Sequence, residues 1–184
     1  AQVGLHHLLL GVHVAALDSL CQRDLFGSRQ QGVLSDVVHE LPQRVHARSR
    51  SGLEVQLCGD AHLSNFGVFA APDRRLVFDL NDFDETLPAP FEWDVKRLVA
   101  SFVIAARDNG YRRKEQRAAA RAAAEAYRTT MTQATAMRFL EVWYTRIDAD
   151  DLLTELAARE DKATVKAAQK GLAQARKRTS LGSL

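Results

Sequence analysis

The stretch "CGDAHLSNFG", residues 58 to 67, places Asp60, His62 and Asn65 close together between two glycines. A strand-like run, Leu53-Glu54-Val55-Gln56-Leu57, leads in, and Phe66-Gly67-Val68-Phe69 follows. A second polar group, Asp79, Asn81, Asp82, Asp84 and Glu85, begins at the end of a further apolar run, Leu76 to Leu80. Phe66–Ala70 and Leu76–Leu80 read as a hairpin whose turn, Ala71-Pro72-Asp73-Arg74-Arg75, carries Pro and Asp. That hairpin sets the start of its first strand beside the end of its second, so Asn65 and Asp82 are expected to face each other. Three or more oxygen ligands converging from two loops suit a hard cation such as Mg²⁺. Such a cation bridges phosphate oxygens. Asp60 lies within reach of a hydroxyl to be activated.

Each residue also has a structural reading. Asp60 is a turn former in any strand-to-loop junction. His62 reads as a hydrogen-bonding strut for the loop rather than a proton shuttle. Asn65 can cap a turn, although its spacing from Asp60 favours a metal role. Asp79 reads as a strand-end residue held by backbone amides, Asp84 and Glu85 as solvated acids, and Asp82 as the better ligand. An EF-hand over Asp79–Asp84 fails, because the glycine needed at the sixth position is Asp84. Asp94 falls in the first turn of the next helix, where an acid complements the dipole and can tie down a preceding loop. The histidines His6, His7, His13, His39 and His46 have no zinc spacing.

Asp60 and Asn65 fit D-x-x-x-x-N, the catalytic-loop pattern of kinases, where the Asp receives the hydroxyl proton and the Asn holds a metal. With Asn81-Asp82-Phe83-Asp84 and then Glu92-Trp93-Asp94, the series resembles the aminoglycoside and choline phosphotransferase branch of the kinase-like superfamily. More closely, "VQLCGDAHLSNFG", "LVFDLNDFDET" and "PFEWDVKRLVASFVIAAR" are similar to the bacterial DUF2252 family of uncharacterised proteins. The similarity is specific over 52 to 110, looser to 184 and absent before about residue 47. It implies ATP and Mg²⁺ as cofactors, Asp60 as catalytic residue, Asn65 and Asp82 as metal ligands, and His62, Asp79, Asp84 and Asp94 in support. It also implies longer relatives, in which a glycine-rich segment and a Lys-Glu-Ala strand follow later. Cys58 departs from the pattern, since those phosphotransferases usually carry His there.

The elements that must position these residues divide unequally. Residues 1 to 47 differ in texture from the rest and are set apart as a segment not counted with the fold. Two helical patterns are read there, through Val12, Ala15, Ala16, Leu17 and Leu20, and through Val33, Val37, Val38 and Leu41. Residues 48–184 are expected to form a partial kinase-like domain, α+β and predominantly helical, with a small hairpin sheet followed by a helical bundle resembling a kinase C-lobe. Leu53, Val55 and Leu57 read as the inward side of a half-buried strand, and Pro88 and Pro90 as loop. Val95, Leu98, Val99, Phe102, Val103 and Ala106 share one helix face, ending near Asn109-Gly110. Residues 112 to 136 have strong helix composition, with a bland Ala-rich centre. Met137–Trp143 and the region of Leu152, Leu153 and Leu156 read as further helices, and 160 to 178 as a weakly amphipathic one.

At 184 residues with 46% apolar and 26% charged residues, the chain has the composition of a globular domain. A net charge of +2 shows no general nucleic-acid footprint. The two cysteines, Cys21 and Cys58, stand in no metal spacing and suit a reducing, cytoplasmic setting. No membrane span is expected. With no Met before Met131 and a final stretch, Thr179 to Leu184, that breaks off in mid-pattern, the chain reads as a fragment. The function expected is phosphoryl transfer from ATP to an unknown hydroxyl-bearing substrate, with the fragment alone inactive. One alternative is a metal-dependent phosphoesterase, since "GDAH" is similar to metallophosphatase loops, though no upstream D-x-H or downstream G-N-H accompanies it. The other is an inactive kinase-like nucleotide-binding module, against which intact Asp60, Asn65 and Asp82 speak.

Overall fold

The computed structural model describes residues 51–159 and 161–177. The two helical patterns before residue 47, the histidines other than His62, Cys21 and the tail after Lys177 lie outside the described residues. The fold is α+β with most residues helical. Strand β1, Glu54–Gln56, pairs antiparallel with β4, Pro88–Pro90, in the register Glu54 to Pro90 and Gln56 to Pro88. Prolines are tolerated there because this is a two-stranded sheet whose outer edge needs no donors. The loop expected around Pro88 and Pro90 is therefore a strand. The expected inward alternation also fails at its first position: Leu53 is 63% exposed, and only Leu57 is fully buried.

The hairpin forms with the expected strands, β2 at Phe66–Ala70 and β3 at Leu76–Leu80. Phe66 opposes Leu80, Gly67 opposes Asp79 and Ala70 opposes Leu76. Its turn closes through Ala71 N–H to the Arg75 carbonyl at 2.8 Å, with Arg74 in the left-handed region. Asp73 accepts from the Arg75 side chain and from Arg146 Nη1 at 3.2 Å. Arg146 leads into a third strand, β5 at Ile147–Asp148, which pairs with β3.

Among the described residues five helices follow β4 in chain order: α1, Glu92–Asp108; α2, Arg113–Ala134; α3, Phe139–Tyr144; α4, Ala149–Arg159; and α5, Lys162–Lys177. Gly110 adopts φ +77° just after α1, as a helix C-terminus favours. The core gathers Phe66, Phe78 and Leu80 from the hairpin, Leu98, Phe102 and Ala106 from α1, and Ala119, Ala123, Ala126 and Tyr127 from α2. The Ala-rich centre of α2 is thus a packing face: small side chains at 119 and 123, both fully buried, let the backbones of α1 and α2 approach closely. Helix α5 is more amphipathic than its composition implies. Val165, Ala168, Leu172 and Ala175 form one half-buried to buried stripe, and the helix packs on α4 and β2. Among the described residues no helix is long and apolar enough to cross a membrane.

Candidate functional site

Residues Leu57 to Asn65 leave β1, cross over the start of α1 and enter β2 through a short 3-10 turn, Leu63–Asn65. Local bonds close its second half, the His62 amide to the Asp60 carbonyl at 2.8 Å and the Asn65 amide to the His62 carbonyl at 3.0 Å. Three side chains spaced along one face of α1 tie it down, two through its backbone amides and one through the Asp60 carboxylate. Asp94, fully buried, accepts from the Cys58 amide at 2.7 Å and the Gly59 amide at 3.3 Å. Arg97 Nη1 donates to Asp60 Oδ1 at 3.1 Å. Ser101 Oγ accepts from the Leu63 amide at 3.0 Å and donates to the Leu98 carbonyl at 2.6 Å. Successive positions of the helix grip successive positions of the loop.

The Asp60 carboxylate gathers three donors. Besides Arg97, Asn65 Nδ2 donates to its Oδ2 at 3.0 Å and to its backbone carbonyl at 2.8 Å. His62 Nδ1 accepts from the Ser64 amide at 3.2 Å, which assigns the ring proton to Nε2, 3.2 Å from Asp60 Oδ2. The His62 bond, with the charge of Arg97 in a lesser role, holds the Asp60 carboxyl below the usual carboxylate range, against the opposing effect of burial. A carboxylate offers about four acceptor positions. Three donors leave one for a visiting group, and the side chain is 23% exposed.

Beneath the loop the electrostatics run the other way. Burial pushes the Asp94 carboxyl up, while its two backbone donors oppose the rise. Burial, followed by the neighbouring Asp94 carboxylate, raises the Cys58 thiol above the ordinary thiol range. Cys58 is a core residue here, 1% exposed and packed with Ala61, Phe66 and Leu98. The Tyr127 hydroxyl, buried without a hydrogen-bond partner among the described residues, is pushed up to about 12 for the same reason.

The second polar loop touches the first at Gly59. A Cβ built there, at φ +90°, would meet the Glu85 carbonyl oxygen at 2.1 Å. Leu57 N–H also donates to the Leu87 carbonyl at 2.9 Å, and Asn81 N–H to the Asn65 carbonyl at 2.8 Å. Asp82, Asp84 and Glu85 are exposed, and the Asp84 amide lies 3.4 Å from Asp82 Oδ1. A hydrogen bond to Asp82, and its charge, raise the Asp84 carboxyl, and Asp60 adds a smaller contribution. Asp79 is half-buried, opposite Gly67, and its Oδ1 accepts from the Leu80 amide at 2.8 Å.

The structure therefore joins Asp60, His62 and Asn65 directly, sets Asp94 under their loop, and brings Asp82 and Asp84 side by side on the abutting loop. The expected convergence of three or more oxygen ligands is not made by acidic side chains. Among the described residues no three His, Cys, Asp or Glu side chains stand close enough to hold a metal ion. Asp82, Asp84 and Glu85 are exposed, Asp60 and Asp79 half-buried and Asp94 buried. Sequence reasoning missed Arg97 and Ser101. Their signal was present: Asp94, Arg97 and Ser101 are polar positions on the same side of α1 as the buried Leu98 and Phe102.

A family model described as "Uncharacterized protein conserved in bacteria (DUF2252)" matches residues 37–184, and the chain belongs to that family. The match begins upstream of residue 47, so part of the segment set apart by its texture falls within the family. No curated protein and no solved structure matches the chain.

Proposed function

We propose that this site serves an ATP-dependent phosphotransferase of the kinase-like kind, and that this chain carries its acceptor and metal side. The observation that carries the proposal is the tie between Asn65 and Asp60. Two hydrogen bonds from one amide nitrogen fix both residues of the D-x-x-x-x-N pattern. They leave Asn65 Oδ1, the atom a hard cation would use, without a donor among the described residues. Oxygen donors from Asn65 and Asp82 fit Mg²⁺, which is commonly held by one or two protein oxygens together with substrate phosphates rather than by a protein cage. When bound, Mg²⁺ would be held by Asn65 and Asp82 and would neutralise phosphate charge.

The remaining acceptor position of Asp60 receives the substrate hydroxyl. In the transfer, the hydroxyl oxygen bonds to the γ-phosphorus, the bond to the ADP oxygen breaks, and the hydroxyl proton passes to Asp60. A carboxylate held at low basicity by His62 and Arg97 is a poor base for a free hydroxyl. Its work is orientation, with the proton moving late, as a loose phosphoryl-transfer transition state permits. Asp94 fixes the loop, Asp79 holds the Leu80 amide at the end of β3, and Asp84 adds charge beside Asp82. The phosphoesterase alternative draws less support, because both ring nitrogens of His62 are engaged within the loop and neither faces a metal.

The test is binding of a fluorescent ATP analogue with and without Mg²⁺. In a version extended past residue 184, Asp82→Asn is expected to weaken Mg²⁺-dependent binding by about tenfold, roughly 1.4 kcal/mol, while Asp60→Asn leaves binding intact and abolishes turnover. Binding that ignores Mg²⁺, or turnover that survives Asp60→Asn, refutes the assignment. The chain has no G-x-G-x-x-G and no lysine before Lys96. Steady ATP turnover by these 184 residues alone would show that a phosphate clamp had been overlooked within them.

A further inference from the structure

The net charge of +2 conceals a strong segregation. Residues 107–128 hold seven Arg and Lys against three Asp and Glu, a net of +4, so the remainder of the chain is net −2. On α2 the cations are also sorted by direction. At about 100° per residue, Arg113, Lys114, Arg117, Arg121 and Arg128 fall within one sector of about 100°, and all five are exposed. Ala119, Ala123, Ala126 and Tyr127, which pack towards α1, occupy the other side. Arg107 and Arg112, also exposed, flank the start of the helix.

Helix stability does not account for this face. Cations in the first turns oppose the helix dipole, and like charges four residues apart repel. A merely solvated helix relieves this by alternating signs, but no acid lies inside the sector. Glu125 stands at its rim, 4.0 Å from Arg128. Glu115 is turned back to the helix start, where it accepts from the Arg112 amide at 2.7 Å. Arg113, Lys114, Arg117 and Arg121 make no ion pair among the described residues.

We propose that this face of α2 docks on the phosphate backbone of duplex nucleic acid. Four of the five cations are arginine, whose planar fork pairs with phosphate through two hydrogen bonds. The face is the convex side of a rigid helix about 10–12 Å across, a width the major groove of about 12 Å admits. No aromatic side chain lies in the sector, so the stacking platform of single-strand binders is missing. The apolar face of α2 is already covered by α1, which removes the side a membrane-surface helix would insert. The inference is independent of the phosphotransfer reading, since none of these residues touches the Asp60 site.

The experiment is fluorescence anisotropy with a labelled DNA duplex two helical turns long, across a salt series, using the full 184-residue chain. Polyglutamate and phosphatidylserine vesicles serve as competing probes. With five phosphate contacts, affinity should fall about 500-fold when salt is quadrupled, and with three contacts about 40-fold. Arg117→Gln/Arg121→Gln should therefore flatten the salt dependence by about two units of slope. Lys166→Gln/Lys170→Gln, the same charge change on exposed positions of α5, should leave the slope unchanged. Equal loss in the two double variants would reduce the effect to net charge and overturn the proposal. So would no binding at low salt, or tighter binding to polyglutamate or to vesicles than to duplex.

Discussion

Replacing Asp94 with alanine removes the acceptor that holds the site loop at its entry. Asp94 is fully buried and receives a short bond from the Cys58 amide, 2.7 Å, and a long one from the Gly59 amide, 3.3 Å. A bond to a charged acceptor is worth about 1.5–3 kcal/mol and a weak one about 0.5–1.5 kcal/mol. Two buried amides lose their partner, while the protein no longer has to bury a carboxylate whose ionisation burial already disfavours. The net loss is about 2–4 kcal/mol. At about 2–4 °C per kcal/mol for a chain of this size, Tm falls by about 4–16 °C. Urea unfolding gives the free energy. Amide hydrogen exchange gives the location: protection at Cys58 and Gly59 is lost, while Phe78 in β3 keeps its own. A variant within about 0.5 kcal/mol of the parent, or one with undiminished protection at Cys58 and Gly59, refutes the view that α1 holds this loop.

Gly59→Ala is expected to destabilise more than Gly67→Ala. The first forces a side chain into φ +90° and into the Glu85 backbone at 2.1 Å, whereas the second meets only the movable amide of Asn81 at 2.5 Å; equal Tm values would contradict this. Cys58 should resist thiol reagents at pH 8 until the chain is unfolded, because it is buried beside Asp94 and its thiol is raised. Peptide mass spectrometry after labelling checks it, and ready labelling in the native state would count against the burial. Asp60 should contribute to acid sensitivity. Its folded pKa is depressed, so its stabilisation is present above the unfolded value near 3.9 and is lost as pH falls through the folded value. Asp94, being raised, acts oppositely over the range between 3.9 and its own folded value. Asp60→Asn should therefore flatten the acid limb of stability against pH, and an unchanged limb would show that its three donors contribute nothing.

The sequence by itself determined whatever depends on short spacing. Alternation and a Pro-Asp turn set the hairpin from Phe66 to Leu80, because strand period and turn chemistry act within a few residues. The interval from Asp60 to Asn65 is equally local, so one amide could be expected near one carboxylate. The bounds of α1 and α2 followed from apolar spacing and composition. The tertiary structure decided which faces meet. Bonds from Asp94, Arg97 and Ser101 to the loop span 35 to 38 residues, and no periodicity specifies a partner at that distance. The pairing of β1 with Pro88–Pro90, the stripe on α5 and the close approach of α1 to the alanines of α2 also arose from packing. By burying one side of α2, that packing also fixed the direction of its arginines. A residue's spacing sets the face it shares; burial of apolar surface over the whole chain sets what that face is turned towards.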